Sequence, residues 1–313
     1  MALVPLLTAG AASFVATPAL AHWARGRGWI DLREGAEAAR KPREAPIPPI
    51  GGLAIALATG LAALTLTGIA TVPGAAGFPW LAFVGALALG AWDDVRPLEP
   101  GPKMLGQLGV ALFLGLELAV AGGDGVAAGV LACAVLVAIN GLNTWDHADG
   151  FAGSCAAIGL WGSLPGAACL GFLPWNTVLR RRRGGESVPW AYLGDGGSHA
   201  LGVLLAAHPA AWPVLVVPLA DLARVVVLRI AAGQGPWVGD RRHLGQRLER
   251  AGWAPPAGAA AAAACVLPAA WMGAGGALIG VSFYLLLLAV TREGKIDGDP
   301  QADGSCDGPV TDR

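Results

Sequence analysis

The sequence predicts an all-α fold, a polytopic membrane helical bundle of about nine to eleven transmembrane helices, some of them short or re-entrant. Three observations predict it. Only 14% of the 313 residues are charged and 55% are hydrophobic, against about 25% charged in an ordinary soluble domain, and the mean hydropathy is +0.56. The apolar residues lie in long runs, several of which approach the roughly 17 to 25 residues that a spanning helix needs. None of the runs alternates with the period of two that marks an outer-membrane strand.

In chain order the runs cover residues 2–21, 51–69, 78–92, 104–121, 125–139, 151–173, 199–230, 257–272 and 275–290. The first has no basic leader region and continues into further apolar runs, so it reads as a retained span rather than a cleaved signal. Charge is concentrated between the runs, at 22–43, 93–103, 180–186 and 229–250, and the positive-inside bias places these loops in the cytoplasm. Single crossings from an external N-terminus leave the stretch at 71–77 outside and those at 93 and 140 inside. One domain, residues 1–292, accounts for the bundle. Residues 293–313 have little to bury and read as a disordered cytoplasmic tail. A net charge of −1 argues against a nucleic-acid partner. Four of the five cysteines sit inside apolar runs with no CxxC spacing, which disfavours disulfides and thiolate metal sites.

Polar residues interrupt this background in four places. In NGLNTWDHADGFAG, Asn140, Asn143, Asp146 and Asp149 recur at every third position. Steps of three turn roughly 300° each, so the four groups drift about 180° around a helix and cannot share one face. The helix is therefore expected to stop near Asn143, a turn to present the aspartates, and Gly150 to begin the next helix. A carboxylate at mid-membrane costs on the order of 2.5 to 3.5 kcal/mol or more, a penalty that largely vanishes at the rim. A solvated interfacial loop is the plain alternative, but it needs neither amides at a helix end nor aspartates three apart.

In AWDDVRPLEPGPKMLGQ, Asp93 and Asp94 close one apolar helix, and Lys103 and Gln107 open the next. A helix N-terminus with a lysine suits a phosphate; two helix ends with ordinary interfacial charge is the alternative. In YLGDGGSHALG, Asp195 lies among glycines with Ser198 as the expected N-cap. One carboxylate beside a close backbone suits Mg²⁺ bridged to diphosphate oxygens, and a plain glycine turn remains open. Arg241 and His243, in the segment from Asp221 to Gly252, could neutralise phosphate, or belong to an arginine-rich helix that touches anionic lipid. Taken together the four supply carboxylates for a divalent cation, cations for a diphosphate and amides for a base.

At these residues the chain resembles the polyprenyl-phosphate N-acetylhexosamine-1-phosphate transferases, membrane enzymes that begin cell-envelope glycan synthesis. The resemblance runs from about Lys41 to Gly252. It rests on PIPPIGG, on the Asp93–Asp94 pair with Lys103 and Gln107, on the Asn140 to Gly150 stretch, and on FLPWN, LGDGGS and DRRHL in that order. It implies that polyprenyl phosphate attacks the β-phosphorus of a UDP-N-acetylhexosamine and releases UMP, with Mg²⁺ as cofactor and Mn²⁺ as an alternative ion. It implies Asp195 and Asp93 as metal ligands and Asp93, Asp94, Asp195 and His243 as catalytic residues. Lys103, Asn140, Asn143, Asp146, Asp149 and Arg241 are then the substrate-binding set. The implied setting is the cytoplasmic face of a prokaryotic inner membrane, in contact with the lipid bilayer and compatible with a homodimer.

The chain departs from the family pattern at Arg43, Pro49, His147 (usually Gly), and Gly245 with Gln246 (usually His). It is also short after Gly150 and after Ser198. Single crossings there would carry Asp195 to the opposite side from Asp93, so SLPGA and AHPAAWP are expected to turn two short hairpins back to the cytoplasm. A catalytically inactive relative that binds lipid phosphate or a partner protein is the alternative function. A transporter fits less well, because its polar residues belong at mid-membrane.

Overall fold

Helix makes up 79% of the computed structural model, which describes residues 3–30, 47–67, 79–183, 186–237 and 242–291. The helices are α1 (Leu3–Gly26), α2 (Gly51–Thr67), α3 (Trp80–Val95), α4 (Pro100–Val120), α5 (Gly125–Trp145), α6 (Phe151–Gly159), α7 (Leu164–Thr177), α8 (Gly194–Ala206), α9 (Val216–Ala231), α10 (Leu244–Arg250) and α11 (Pro255–Val290), with a 3-10 segment, Pro209–Leu215, before α9. Four of them, α1, α4, α5 and α11, are long and apolar enough to cross a membrane. Large aliphatic side chains point outward from α4 and α5, with Leu105 69%, Val120 80% and Val126 77% exposed. A water-facing surface would not concentrate them so; a lipid-facing one has no reason to bury them. Arg43, Arg241, the stretch at 71–77 and the tail at 293–313 lie outside the described residues.

Residues 151–173 do not cross as one helix. Ser163 caps α7 by accepting from the Gly166 N–H, and α6 and α7 run antiparallel, with a Cβ on Gly153 falling 3.1 Å from Leu173. The nine residues of α6 span about 14 Å, half of the roughly 30 Å hydrocarbon core. The thirteen residues of α8 likewise stop short, and the 3-10 segment turns the chain into α9. The two turns meet: a Cβ on Gly159 would lie 3.5 Å from Val214. Both hairpins therefore return to the end from which they started, as the short segments demanded.

The 36 residues of α11 are two helices. Gly273 has φ 58° and ψ −135°, outside the helical region. A Cβ on Gly276 would collide with the Pro268 carbonyl, and one on Gly280 with that of Cys265. Residues fifteen apart cannot touch in a straight helix, which rises about 1.5 Å per residue; the two arms lie side by side and antiparallel. This matches the separate apolar runs at 257–272 and 275–290.

Two boundaries differ from expectation. Helix α5 continues to Trp145, with Asp146 as its C-cap, rather than stopping near Asn143. Helix α8 begins at Gly194, so Ser198 is an interior residue whose hydroxyl donates to the Asp195 carbonyl at 3.2 Å instead of capping. The all-helical expectation also misses an antiparallel hairpin, β1 (Arg180–Arg183) with β2 (Glu186–Pro189), in which Arg180 faces Pro189 and Arg182 faces Ser187. Beside it, α1 contains Pro18, which leaves the Phe14 carbonyl without its helical donor. The Trp175 indole N–H donates to that carbonyl at 2.8 Å and ties α7 to α1.

Candidate active site

The start of α8 is the centre of the arrangement. Gly194 holds φ 78°, a left-handed conformation open to glycine, and turns the chain into the helix. Gly52 of α2 and Gly90 of α3 let two backbones come against it: a Cβ on Gly52 would strike Gly197, and one on Gly90 would strike the Asp195 carbonyl. This close approach brings the C-terminal end of α3 to Asp195.

Leu193, the N-cap of α8, makes no side-chain cap; Asp94 supplies one from α3. Its Oδ1 accepts the Asp195 N–H at 2.9 Å and its Oδ2 the Gly196 N–H at 3.1 Å. These are two of the donors that every helix leaves unpaired at its start. Asp93 points elsewhere, as adjacent residues on a helix must. Its Oδ1 accepts the Leu98 N–H at 2.6 Å and its Oδ2 pairs with Lys103 Nζ at 2.7 Å. Lys103, in the first turn of α4, also pairs with Asp195 Oδ2. Its ammonium thus stands between two carboxylates from α3 and α8, none of the three being fully buried.

Helix α5 contributes the amides. Asn143 Nδ2 donates to Asp195 Oδ1 at 2.7 Å and to Ser198 Oγ at 3.1 Å. Asn140, one helical turn earlier on the same face, donates to Gln107 Oε1 at 2.8 Å, and Gln107 Nε2 lies 2.9 Å from His199 Nε2. The Ser198 hydroxyl is 3.4 Å from His199 Nδ1. A ring of side chains, Asn140, Gln107, His199, Ser198, Asn143, thereby floors the carboxylates. His199 is fully buried and was not singled out in the sequence. A histidine inside a glycine-rich, apolar segment beside Asp195 was the available signal.

Asp149 and Asp146 stand apart from that ring. Asp149 is buried and paired with Arg180 of β1 at 2.8 Å, and Asp146 caps α5 through its N–H to the Leu142 and Asn143 carbonyls. Asn176, from FLPWN, accepts the Gly150 N–H at 2.6 Å and donates to the Ala191 carbonyl at 3.0 Å. It locks the α6–α7 hairpin to the segment that leads into Asp195.

His243 belongs to a second cluster and makes no hydrogen bond or ion pair with the carboxylates of the first among the described residues. Its Nδ1 donates to Asp221 Oδ2 at 2.7 Å, while Asp221 Oδ1 accepts from Tyr284 at 2.8 Å and Arg224 at 2.9 Å. The His147 ring stacks on His243 at 4.8 Å. Gly245 donates its N–H to His147 Nε2 at 2.8 Å, and His147 Nδ1 donates to the Thr144 carbonyl at 2.7 Å, which fixes the neutral tautomer. Burial, and then repulsion from His243, push His147 down to about 3. Ligand-type atoms of His147, Asp221 and His243 lie within 4.8 Å of one another, yet each already serves a hydrogen bond and Arg224 shares the carboxylate. The cluster is a hydrogen-bonded clasp between α9, α10 and α11, with His243 at its centre. Asp221, Arg224 and Tyr284 were missed as site residues; two charges three apart in the apolar α9 were the signal.

No protein-family model matches the chain, and no curated protein matches it.

Proposed function

We propose that the protein transfers N-acetylhexosamine-1-phosphate from a UDP-sugar to polyprenyl phosphate and releases UMP. The observation that supports this best is the meeting of Asp93, Lys103, Asn143 and Asp195, from α3, α4, α5 and α8, at one end of the bundle. A scaffold gains nothing from gathering a partly exposed cation, two carboxylates and an amide there. Phosphoryl transfer needs such a set, since its catalysis is mostly positioning and charge neutralisation.

An oxygen of the acceptor phosphate attacks the β-phosphorus of the UDP-sugar. The bond from that phosphorus to the oxygen bridging it to the α-phosphate breaks, and UMP leaves with the electron pair. The attacking phosphate is already anionic, so no strong base is required. Lys103, at the N-terminus of α4, meets the phosphate charge, Asn143 orients Asp195, and Asp94 acts as a positioning residue that sets the first turn of α8. Asn140 holds Gln107 in place, and Asp146 and Asp149 follow at the end of α5, on the nucleotide side.

The oxygen donors of Asp93 and Asp195 already converge on one cation, the Lys103 ammonium, and this hard donor set fits Mg²⁺ or Mn²⁺. When bound, such an ion neutralises diphosphate charge. The remaining helices complete a membrane domain over residues 1–292, with the site on the cytoplasmic face of a prokaryotic inner membrane. The arginines at that end support this sidedness.

The test is UMP release by purified protein given UDP-N-acetylglucosamine or UDP-N-acetylgalactosamine, undecaprenyl phosphate and Mg²⁺. Turnover is expected, with at least a hundredfold loss in Asp195→Asn. No UMP from any UDP-N-acetylhexosamine would overturn the proposal in favour of a lipid-phosphate-binding relative.

A further inference from the structure

Where α1 ends, the chain places arginines on tryptophans. The Arg25 guanidinium lies 5.5 Å from the centre of the Trp190 ring, and Arg181, from β1, lies 4.5 Å from the same centre. Arg25 also donates to the Trp190 carbonyl at 3.2 Å. Arg27 sits 5.4 Å from the Trp23 ring, which packs edge-on against Trp29. Two guanidinium groups on one indole repel each other, and an anion beside Arg181 would relieve that repulsion. The neighbouring Arg180 is neutralised by Asp149. Among the described residues no carboxylate pairs with Arg27 or Arg181.

The position says what such an anion would be. Helix α1 is a membrane-spanning candidate whose last turn carries Arg25, so the patch lies at the interface that tryptophan and arginine favour. Trp175 extends the aromatic surface down α1, 5.3 Å from Trp190 and 5.0 Å from Phe14. A ligand held here has a charged group against the guanidiniums and an apolar body along the helix. We propose that Arg25, Arg27, Arg181 and Trp190 form a binding site for the headgroup of an anionic phospholipid of the surrounding leaflet. The occupant would brace the segment from Trp190 to Asp195 against α1, so the lipid would steady the first turn of α8. Binding itself stands apart from the transferase reading.

The test is native mass spectrometry of the detergent-purified protein, titrated at low ionic strength with phosphatidylglycerol and with phosphatidylcholine of the same acyl chains. Phosphatidylglycerol is expected to bind more tightly. Joint replacement Arg27→Gln and Arg181→Gln should weaken it about thirtyfold, about 1 kcal/mol for each arginine, and leave phosphatidylcholine unchanged. Arg27→Lys with Arg181→Lys keeps the charge and should retain binding to within a few-fold. Arg96→Gln with Arg250→Gln removes equal charge elsewhere and should have no effect. Equal binding of the two lipids, an equal loss in the control pair, or a lysine pair as weak as the glutamine pair would each overturn the proposal.

Discussion

Asp94 Oδ1 accepts the backbone N–H of Asp195 at 2.9 Å across 101 residues of sequence, and its second oxygen takes the next N–H along. The carboxylate caps a helix that lacks a cap of its own. Asp94→Ala strands two donors at a buried helix start, at a cost of about 1 to 3 kcal/mol for each. The variant is expected to melt well below the parent, and Asp94→Asn, with one accepting oxygen left, between the two. Thermal unfolding of the purified protein checks the order.

Lys103 neutralises Asp93 and Asp195 together. Lys103→Gln leaves two carboxylates facing each other and removes the cation that competes for them. Manganese binding, followed by electron paramagnetic resonance, should tighten, while UMP release falls by about a hundredfold or more. Weaker manganese binding would show that the two carboxylates do not form a cation site.

Gly245 makes room for His147. A Cβ there would lie 2.7 Å from His147 Nε2 and would collide with Ala148. Gly245→Ala is expected to cost about 1 to 3 kcal/mol by overpacking, read as a lowered melting temperature. Gly252→Ala, where the added Cβ meets nothing within 4 Å, acts by backbone strain alone and should not disturb the His147 ring signals.

His147 is neutral in the folded protein, with its pKa pushed down to about 3 from an ordinary value near 6.5. The unfolded chain takes up a proton below about 6.5 that the folded chain refuses, so this residue's effect on stability is flat above that pH. Stability falls as pH drops from 6.5 toward 3, by at most about 1.4 kcal/mol per pH unit. His147→Gln should flatten the decline in melting temperature between pH 7 and 5.

What could be read in advance followed from local rules. The apolar runs located the helices, and the three-residue steps from Asn140 to Asp149 correctly excluded a single helical face, because that inference needs only the helical repeat. The ring around Asp195 was foreseen as a gathering of motifs, but not its pattern. Asp94 was expected as a catalytic residue; that its carboxyl also caps the backbone of α8 depends on the contact of α3 with α8 through Gly90, which no local rule reports. The link of Asp221 to Tyr284 spans 63 residues, and no periodicity reports a pairing at that range. In RRRRGGESVP the run of charge obscured a glycine pair, itself a hairpin signal.

The reversal at Gly273 has a practical outcome. Because the two arms of α11 lie alongside one another, Thr291 comes back beside α10, where its carbonyl accepts from Arg247 Nε at 3.0 Å. A reporter domain fused after Thr291 would therefore emerge into the compartment that Asp195 faces. One fusion, scored by whether it fluoresces in the cytosol or gains phosphatase activity in the periplasm, would orient the whole bundle.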